Sequence, residues 1–424
     1  MSWEIKTIGD VCTIEKGNIG ITKAIAGDYP LVVLGEGRKT HNEYQFDDEA
    51  VIIPLVSSTG HGDKSMKRIH YQSGKFSVGN ILCAVIPKNK SVLSAQYLYR
   101  YLDLNKESEL VSRMKGMANV SLPMKSIAEV EIPIPPVEIQ HEIVARLSSL
   151  EESNNELFEK QYFQLDLLKK LRQQILQDAV QGKLIPHDTN DEPASVLLER
   201  IKAEKEKLVR EKKIKKEKPV PPIKPEEIPF EIPENWVWCR FSSIATIESN
   251  LVDPFDYPNH PHIAPDNIEK GTGRLLDYKT VKEDNVISSN HYFFPSQLIY
   301  SKVRPRLNKV VKVDFEGLCS ADMYPIKSLI NPDYLLNCIL SKYFLDEVFK
   351  FDNRVKMPKI NQNQLSQILI PVPPIQEQKR IKVKIEILKT ICNELEQSIK
   401  QNEKYTQELL QVALKEALEP QKIE

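Results

Sequence analysis

One short motif occurs twice in this chain, and in both places it joins a strand pattern to a helix pattern. Residues 132–140 read IPIPPVEIQ, and residues 370–378 read IPVPPIQEQ. An alternating apolar run comes first, then a Pro-Pro pair that neither a strand interior nor a helix interior accepts, then a long helical pattern. Each copy therefore predicts a switch from strand to helix.

Blocks on either side of this motif repeat at nearly the same separation. The aligned blocks pair Trp3 with Trp236, Thr13-Ile14-Glu15 with Thr246-Ile247-Glu248, Tyr97-Leu98 with Tyr334-Leu335, and Ile127 and Val130 with Leu365 and Ile368. The offset changes little along the chain, so one unit of roughly 230 residues is present twice. A period of this length predicts two domains and excludes a solenoid.

The composition is that of an ordinary globular protein, with 41% apolar and 28% charged residues. The chain has neither a secretory leader pattern nor an apolar run long enough to cross a bilayer, so we expect a cytoplasmic protein with no membrane partner. Its six cysteines are scattered, which is typical of reduced, packed thiols. The formal net charge is −1, so any binding of nucleic acid must rest on local basic patches.

A long helical pattern with four-three spacing follows each copy of the motif. The predicted seams are Ile143, Leu147, Leu150, Asn154, Leu157, Gln161, Gln164, Leu168, Leu171 and Ile175, and Ile381, Ile385, Leu388, Cys392, Leu395, Ile399, Asn402, Thr406, Leu409 and Ala413. A helix about 65 Å long exceeds the face that a small domain covers, so we predict that the two helices pair as an intramolecular coiled coil. The alternative is that each helix lies alone on its own domain.

These patterns predict a mixed α/β (α+β) fold, in which two globular domains in a pseudo-twofold repeat are joined by the two long helices. The predicted segments are a first domain at 1–136, a central long helix at 137–185, a charged and Pro-rich linker at 186–233, a second domain at 234–374 and a C-terminal long helix at 375–419.

Within the domains, alternating apolar runs predict strands at 3–8, 29–34, 51–56, 80–86, 298–303 and 309–313. An amphipathic run predicts a helix at 95–102, and Asn331 is predicted to cap another helix that continues through Phe344. In the linker, residues 193–208 predict a helix, a charged run covers 199–218, and prolines then form a tether. The basic part of this run could contact DNA phosphates, but a solvated linker helix is the favoured interpretation.

Two patterns suggest catalysis, and both have simpler explanations. Residues 331–334 resemble the Asn-Pro-Pro-Tyr loop of adenine methyltransferases, but Asp333 replaces the second proline, and capping of a helix explains the pattern. Asp266 with Asp277 and Lys279 fits the loose pattern of metal-dependent nucleases, which often arises by chance. Because no phosphate-binding loop, nucleophile elbow or zinc-binding helix is present either, no catalytic, cofactor-binding or metal-binding residue is predicted.

Basic segments that also carry amides are better functional candidates. Residues 300–309 carry cations and an asparagine on a strand and its following turn, where Arg and Asn suit base edges and Lys suits phosphates. A solvated edge strand guarded by lysines explains this segment equally well. A further basic loop precedes each Ile-Pro motif, at 113–119 and 353–361, and another patch lies at 64–68. The candidate DNA-binding residues are Lys64, Lys67, Arg68, Arg113, Lys115, Asn119, Lys302, Arg304, Arg306, Asn308, Lys309, Asn353, Arg354, Lys356, Lys359 and Asn361.

Several motifs together carry a resemblance to a known family. They are the duplicated switch into a long helix, QGKLIP at 181–186, DEPASVLLERI at 191–201 and IPENW at 232–236. In combination, and over essentially the whole chain, they resemble the specificity subunit of type I restriction-modification systems. Residues 298–309 also resemble a strand and turn of that family's target recognition domains. In the first domain the corresponding segment is expected at Leu82–Lys90, which lacks the Arg-Pro-x-Leu-Asn-Lys pattern.

The resemblance implies a non-catalytic DNA-recognition subunit. Each target recognition domain would read one half of a bipartite, asymmetric site in double-stranded DNA, and the long helices would pair antiparallel, fix the gap and dock methyltransferase (modification) subunits. S-adenosylmethionine, ATP and Mg are expected on the methyltransferase and restriction/translocase subunits, with no cofactor on this chain. Two rival interpretations remain open, which are a fused nuclease or methyltransferase and a coiled-coil scaffold with no role at DNA.

Overall fold

The two copies of the repeat fold as two compact units. The computed structural model describes residues 3–59, 62–211, 221–351 and 358–418. The units are Met1–Tyr162 with Lys400–Glu424, and Phe163–Ile399. Each unit therefore contains one globular domain together with a segment of each of two long helices.

The globular part of the first unit is built from short strands and a few helices. Its strands are β1 (Glu4–Thr7), β2 (Cys12–Lys16), β3 (Tyr29–Val32), β4 (Lys39–His41), β5 (Phe46–Asp47), β6 (Ala50–Pro54), β7 (His70–Gln72), β8 (Lys75–Val78), β9 (Leu82–Pro87) and β10 (Glu131–Ile134). Its helices are α1 (Ile8–Val11), α2 (Ala95–Leu104), α3 (Met124–Ala128) and the first part of α4 (Val137–Val180). The predicted strands at 29–34, 51–56 and 80–86 and the predicted helix at 95–102 are confirmed, with shifted ends. The strand predicted at 3–8 is shorter than predicted and ends at Thr7. Thr7 caps α1 by accepting a hydrogen bond from the Asp10 amide.

The second unit begins within α4 and includes the linker helix α5 (Ala194–Arg210), which confirms the helical prediction there. Its strands are β11 (Val237–Arg240), β12 (Ala245–Ile247), β13 (Leu251–Val252), β14 (Pro261–Ile263), β15 (Lys279–Thr280), β16 (Asn290–Phe293), β17 (Leu298–Ser301), β18 (Val310–Lys312), β19 (Gly317–Cys319), β20 (Met323–Ser328) and β21 (Leu369–Val372). Its other helices are α6 (Phe241–Ile244), α7 (Pro332–Leu340), α8 (Lys342–Phe349), α9 (Gln362–Gln367) and the first part of α10 (Ile375–Ala417). The strands predicted at 298–303 and 309–313 are confirmed by β17 and β18.

The predicted single helix from Asn331 through Phe344 is wrong, because the chain forms two helices there. Ser341 is extended, with φ −68° and ψ 154°, and lies between α7 and α8. Its hydroxyl donates to the Cys338 carbonyl and accepts from the Phe344 amide, so it ends one helix and caps the next. The apolar pattern continues through this break, which is why periodicity alone did not reveal it.

The strand order confirms the sequence repeat. One sheet of the first unit has the order β2-β9-β6-β7, and one sheet of the second has the matching order β12-β20-β17-β18. In each unit a further antiparallel pair, β1 with β10 and β11 with β21, contains the Ile-Pro part of the duplicated motif. The long helices α4 and α10 begin directly after the Pro-Pro pairs, as predicted.

The two long helices pack together antiparallel. In the first unit Ile143, near the start of α4, lies in one buried cluster with Leu414 in the last turn of α10 and with Leu418 directly after that helix. In the second unit Ile175, near the end of α4, lies in one buried cluster with Ile381 near the start of α10, and Arg172 forms a 3.0 Å ion pair with Glu396 in the middle of α10. The start of one helix thus meets the end of the other, and the coiled-coil prediction is confirmed.

The packed seam differs from the predicted one at every second predicted position from Leu157 to Leu171 in α4 and from Leu395 to Leu409 in α10, and agrees with it elsewhere. Leu157 and Leu171 of α4 are each 46% exposed and Leu409 of α10 is 70% exposed, although the spacing predicted all three inside. The half-buried residues at these levels are Phe158, Leu165 and Arg172 in α4 and Glu396, Glu403 and Leu410 in α10. The helices carry more apolar residues than one seam uses, so spacing alone could not select the correct set.

All six cysteines are buried and unpaired, as predicted. Burial raises the pKa of the Cys12 and Cys83 thiols to about 12, so both stay protonated at neutral pH. Within the described ranges, no helix combines the length and apolar character needed to cross a bilayer.

The seam residue Asn154 generates a stability prediction. It is 8% exposed, and its Oδ1 accepts no hydrogen bond from the described residues. We expect Asn154→Leu to raise the free energy of unfolding by about 1–2 kcal/mol, because a buried amide without full partners costs stability. Urea denaturation measures this gain, with the exposed neighbour Asn155→Leu as the control. Equal stabilities of the two variants would contradict the assigned seam.

Candidate nucleic-acid interface

In the second domain, two of the predicted basic loops lie side by side. The β17–β18 connection, residues 302–309, runs next to the loop that leads into α9. The Arg304 amide donates to the Pro358 carbonyl at 2.9 Å, and the Ile360 amide donates to the Lys302 carbonyl at 3.0 Å. These bonds hold both loops at one end of the sheet.

The first domain repeats this pair of bonds with the same register. The Ser57 amide donates to the Val120 carbonyl at 3.0 Å, and the Leu122 amide donates to the Leu55 carbonyl at 3.0 Å. Ser57 thus takes the place of Arg304 in the backbone pattern, and the β6–β7 connection corresponds to the β17–β18 connection.

The expected counterpart at Leu82–Lys90 is therefore wrong. These residues begin with β9, which occupies the position of β20 in the repeated sheet order, whereas β6 occupies that of β17. Both β6 and β9 are short and apolar, so sequence alone did not distinguish them. The patch at 64–68 therefore lies in the β6–β7 connection, which corresponds to residues 302–309 of the second domain. This connection runs next to the loop at 113–121.

A glycine that the sequence prediction did not single out holds the two loops of the first domain together. Gly62 has a positive φ of 88°, and a Cβ there would meet the Met117 carbonyl oxygen at 2.3 Å. The Ser57 hydroxyl donates to the Asp63 carbonyl at 2.6 Å, and the Lys67 amide donates to the Ser58 hydroxyl at 3.0 Å. Only glycine suits a position with both a left-handed backbone and so close a contact.

The candidate side chains of the first domain divide into free and paired groups. Lys64, Lys67, Lys115 and Asn119 are exposed and form no side-chain hydrogen bond or ion pair with the described residues. By contrast, Arg68 pairs with Glu36 at 3.1 Å and Arg113 with Glu109 at 3.3 Å. The free side chains are the ones that a phosphate or a base could bind without the loss of an internal contact.

In the second domain Arg304 is exposed and has a left-handed backbone, with φ 46°. Its side chain forms no hydrogen bond or ion pair with the residues that the structure describes, although its amide is fixed by Pro358. A non-glycine residue held in this region is strained, and such strain is common at binding sites. Arg306, two residues later, lies over the Phe349 ring at 5.3 Å.

Other candidates of this segment make internal contacts. Asn308, also left-handed, is 4% exposed and donates to the Ile339 carbonyl at 2.9 Å, so it stabilises the turn rather than facing a groove. The Lys302 ammonium donates to the Ala321 carbonyl at 2.7 Å, and Lys309 donates to the Pro265 carbonyl at 2.7 Å. The sequence could not show which of these side chains are exposed. Arg304 and Asn308 flank the 3-10 turn at Pro305–Leu307, yet Arg304 is exposed and Asn308 is buried.

The second loop of this domain is described only in part. Lys359 is exposed and donates to Asp322 at 3.0 Å, while the Asn361 side chain accepts from the Gln364 amide as the cap of α9. The candidates Asn353, Arg354 and Lys356 lie outside the described residues.

The residues of the methyltransferase interpretation have structural roles in the fold. The Asn331 side chain accepts from the Asp333 and Tyr334 amides, which confirms helix capping, and Tyr334 is 1% exposed and so cannot stack on an extruded base. Lys309 contacts Asp266 at 3.4 Å. Across the described ranges, no cluster of three or more His, Cys, Asp or Glu side chains is arranged to bind a metal ion.

A partly buried ionic network joins α7 to the neighbouring sheet and to α10. Asp333 pairs with Lys312 at 2.8 Å and with Lys382 at 3.0 Å. Burial alone would raise the pKa of Asp333, but its hydrogen bonds with both lysines hold that pKa below its ordinary value. The carboxylate is therefore ionised at neutral pH and helps to fix α10 against the second domain.

Comparison with known proteins gives the same family for both repeats. A family model described as the type I restriction modification DNA specificity domain matches residues 1–166 and 233–403. The type I restriction enzyme EcoDI specificity subunit of Escherichia coli is 31% identical over 405 residues, covering 94% of this chain and 84% of the relative.

Two solved structures share the fold. A chain from a study of complex assembly and conformational transition of the type I R-M system aligns with a TM-score of 0.63 and 15% identity, covering 98% of this chain and 97% of the other. The HsdS subunit from Thermoanaerobacter tengcongensis aligns with a TM-score of 0.56 and 16% identity, covering 98% and 96%. The family-model match over both repeats and the similarity to the EcoDI specificity subunit establish that the chain belongs to the type I restriction-modification DNA specificity family, as a specificity subunit with two recognition domains.

Proposed function

We propose that the first and second domains each bind one half of a bipartite, asymmetric site in double-stranded DNA, and that the paired helices α4 and α10 fix the gap between the halves. The observation that carries this proposal is the two-loop arrangement, which both domains repeat with one backbone register. A duplicated binding surface on paired helices suits a target with two parts. The loops differ in sequence between the domains, so the two halves of the site would differ as well.

The exposed side chains of the loops contact different parts of the DNA, because lysines suit phosphates and arginine and asparagine suit base edges. Lys64, Lys67 and Lys115 bind phosphates and thereby position the first domain on the duplex. Arg304 in the second domain and Asn119 in the first have the geometry for base edges, since arginine suits guanine and asparagine suits adenine. The net charge of −1 is compatible with this role because the cations are concentrated in the loops.

The chemistry of modification and cleavage would belong to other subunits. The chain itself is non-catalytic; methyltransferase subunits would bind S-adenosylmethionine, and a restriction/translocase subunit would use ATP and Mg. Such a complex acts on cellular DNA, so we propose a cytoplasmic location.

One flank of the helix pair in the second unit supports the docking of a methyltransferase subunit. Its exposed apolar residues are Phe163, Leu167 and Leu171 on α4 and Ile387, Ile391 and Leu395 on α10, each between 45% and 62% exposed. Leu171 and Leu395 each precede a member of the Arg172–Glu396 ion pair, so in an antiparallel pair both stripes face the same side. Contiguous exposed apolar residues of this kind mark interaction sites, and the occupant that we propose is an apolar helix face of the methyltransferase subunit.

Reading of a split site predicts a methylation pattern. The chain is co-expressed with its methyltransferase subunit in an unmethylated host, and modified adenines are mapped by single-molecule sequencing. We expect one motif with two specified halves and an unspecified gap of constant length. A continuous motif, or no motif from a complex that assembles and binds its cofactor, would contradict the proposal.

The same assay tests the role of Arg304. Arg304→Ala is expected to relax the base preference at about one position in one half of the motif, since loss of a bidentate arginine costs about 1–3 kcal/mol of discrimination. Lys327→Ala, an exposed residue on β20, is the control and leaves the motif unchanged. Relaxation of both halves would contradict the division of labour between the domains.

The docking flank gives an independent prediction. Ile391→Lys should weaken binding of the methyltransferase subunit by about tenfold or more, because it places a charge in an apolar contact. Calorimetric titration of the purified subunits measures this change. Gln397→Lys adds the same charge at an exposed position of the same helix and should change the Kd by less than about twofold. Equal Kd values for the two variants would remove this flank from the interface.

A further inference from the structure

The glutamine that ends the first copy of the motif is completely buried. Gln140 is 0% exposed, and its Oε1 accepts from the Ser94 amide at 2.8 Å. Its Nε2 donates to the Val92 and Pro135 carbonyls, each at 2.8 Å. Ser94 caps α2 of the first domain, so one side chain joins the first turn of α4 to a recognition-domain helix and to the Pro-Pro turn.

The second copy repeats this contact. Gln378 is 0% exposed, its Oε1 accepts from the amide of Asn331 at 2.9 Å, and its Nε2 donates to the Pro373 carbonyl at 2.8 Å. Asn331 caps α7, the helix that corresponds to α2. A tyrosine hydroxyl supports each site, because Tyr97 donates to the Pro133 carbonyl at 2.9 Å and Tyr334 to the Pro371 carbonyl at 2.8 Å.

The direction of the helix after the Pro-Pro turn depends on side-chain contacts. Prolines fix their own φ but lack the amide hydrogens that would otherwise bind the preceding strand to the helix. In both copies the glutamine amide binds the carbonyl of the first proline of the pair and fixes it to the first helical turn.

We infer that Gln140 and Gln378 are positioning residues that fix the direction in which α4 and α10 leave their domains, and that they thereby restrict the gap length that the protein accepts in DNA. This inference rests on the proposed reading of a split site. A tilt of about 3° at the start of a helix about 65 Å long moves its far end by about 3.4 Å, which is one base-pair step. Loss of the clamps therefore permits gaps one base pair shorter or longer.

The test uses the full chain with its methyltransferase subunit and a set of plasmids that carry the mapped motif with the native gap and with gaps changed by one or two base pairs. The double variant Gln140→Ala/Gln378→Ala is compared with Glu138→Ala/Gln376→Ala, which changes exposed residues of the same two helical turns. We expect the ratio of methylation at neighbouring gaps to methylation at the native gap to rise by about fivefold to tenfold in the glutamine variant, because three hydrogen bonds are lost at Gln140 and two at Gln378. The control should retain the parent ratio.

A general loss of stability gives a different result, because methylation at all gap lengths then falls by one common factor. Tyr97→Phe/Tyr334→Phe keeps the ring volume, removes only the hydroxyl contacts, and should broaden the gap profile in the same direction. A glutamine variant whose gap profile matches that of the control, or that loses activity equally at every gap, overturns the inference. If the parent protein methylates no split motif, the proposed function itself fails, and the two failures are therefore distinguishable.

Discussion

The packing of the start of one long helix against the end of the other, within each unit, is the contact on which the rest of the structure depends. In the first unit it buries Ile143 with Leu414 and Leu418, and in the second it buries Ile175 with Ile381. Each globular domain therefore supports the beginning of one helix and the end of the other. The duplicated Ile-Pro motif supplies both beginnings.

Contacts within each domain determine which basic residues are available to a ligand. Arg68, Arg113, Lys302 and Lys309 contact carboxylates or carbonyl groups of their own domain and hold its loops in place. Lys64, Lys67, Lys115 and Arg304 have no such contact among the described residues and remain exposed. A basic loop thus contains residues that shape it and residues that remain free to contact DNA as proposed.

Sequence reasoning predicted the two domains, the strand-to-helix switches and the pairing of the long helices, because periodicity and proline position report directly on backbone geometry. It failed where two patterns were equally apolar. Leu157 and Leu171 continue the seam pattern yet lie outside the seam, and β9 looks like β17 although β6 occupies the corresponding place. The basic residues that are exposed and free of internal contacts could not be chosen from sequence either. The burial of Asn308 and the exposure of Arg304 depend on a single turn.

We propose that each domain reads its half-site independently and that the helix pair sets the gap between the half-sites. This proposal is tested most directly by inserting one heptad, in register with the seam, after Gln161 in α4 and after Thr406 in α10, and mapping the methylated motif. Seven helical residues add about 10 Å, so both halves of the motif should be retained and the gap should lengthen by about three base pairs. A variant with the heptad inserted in α4 alone serves as the control, because α4 and α10 then differ in length and cannot pair along the whole seam. An unchanged gap, or altered letters in either half, from the doubly extended and correctly folded protein would contradict the account.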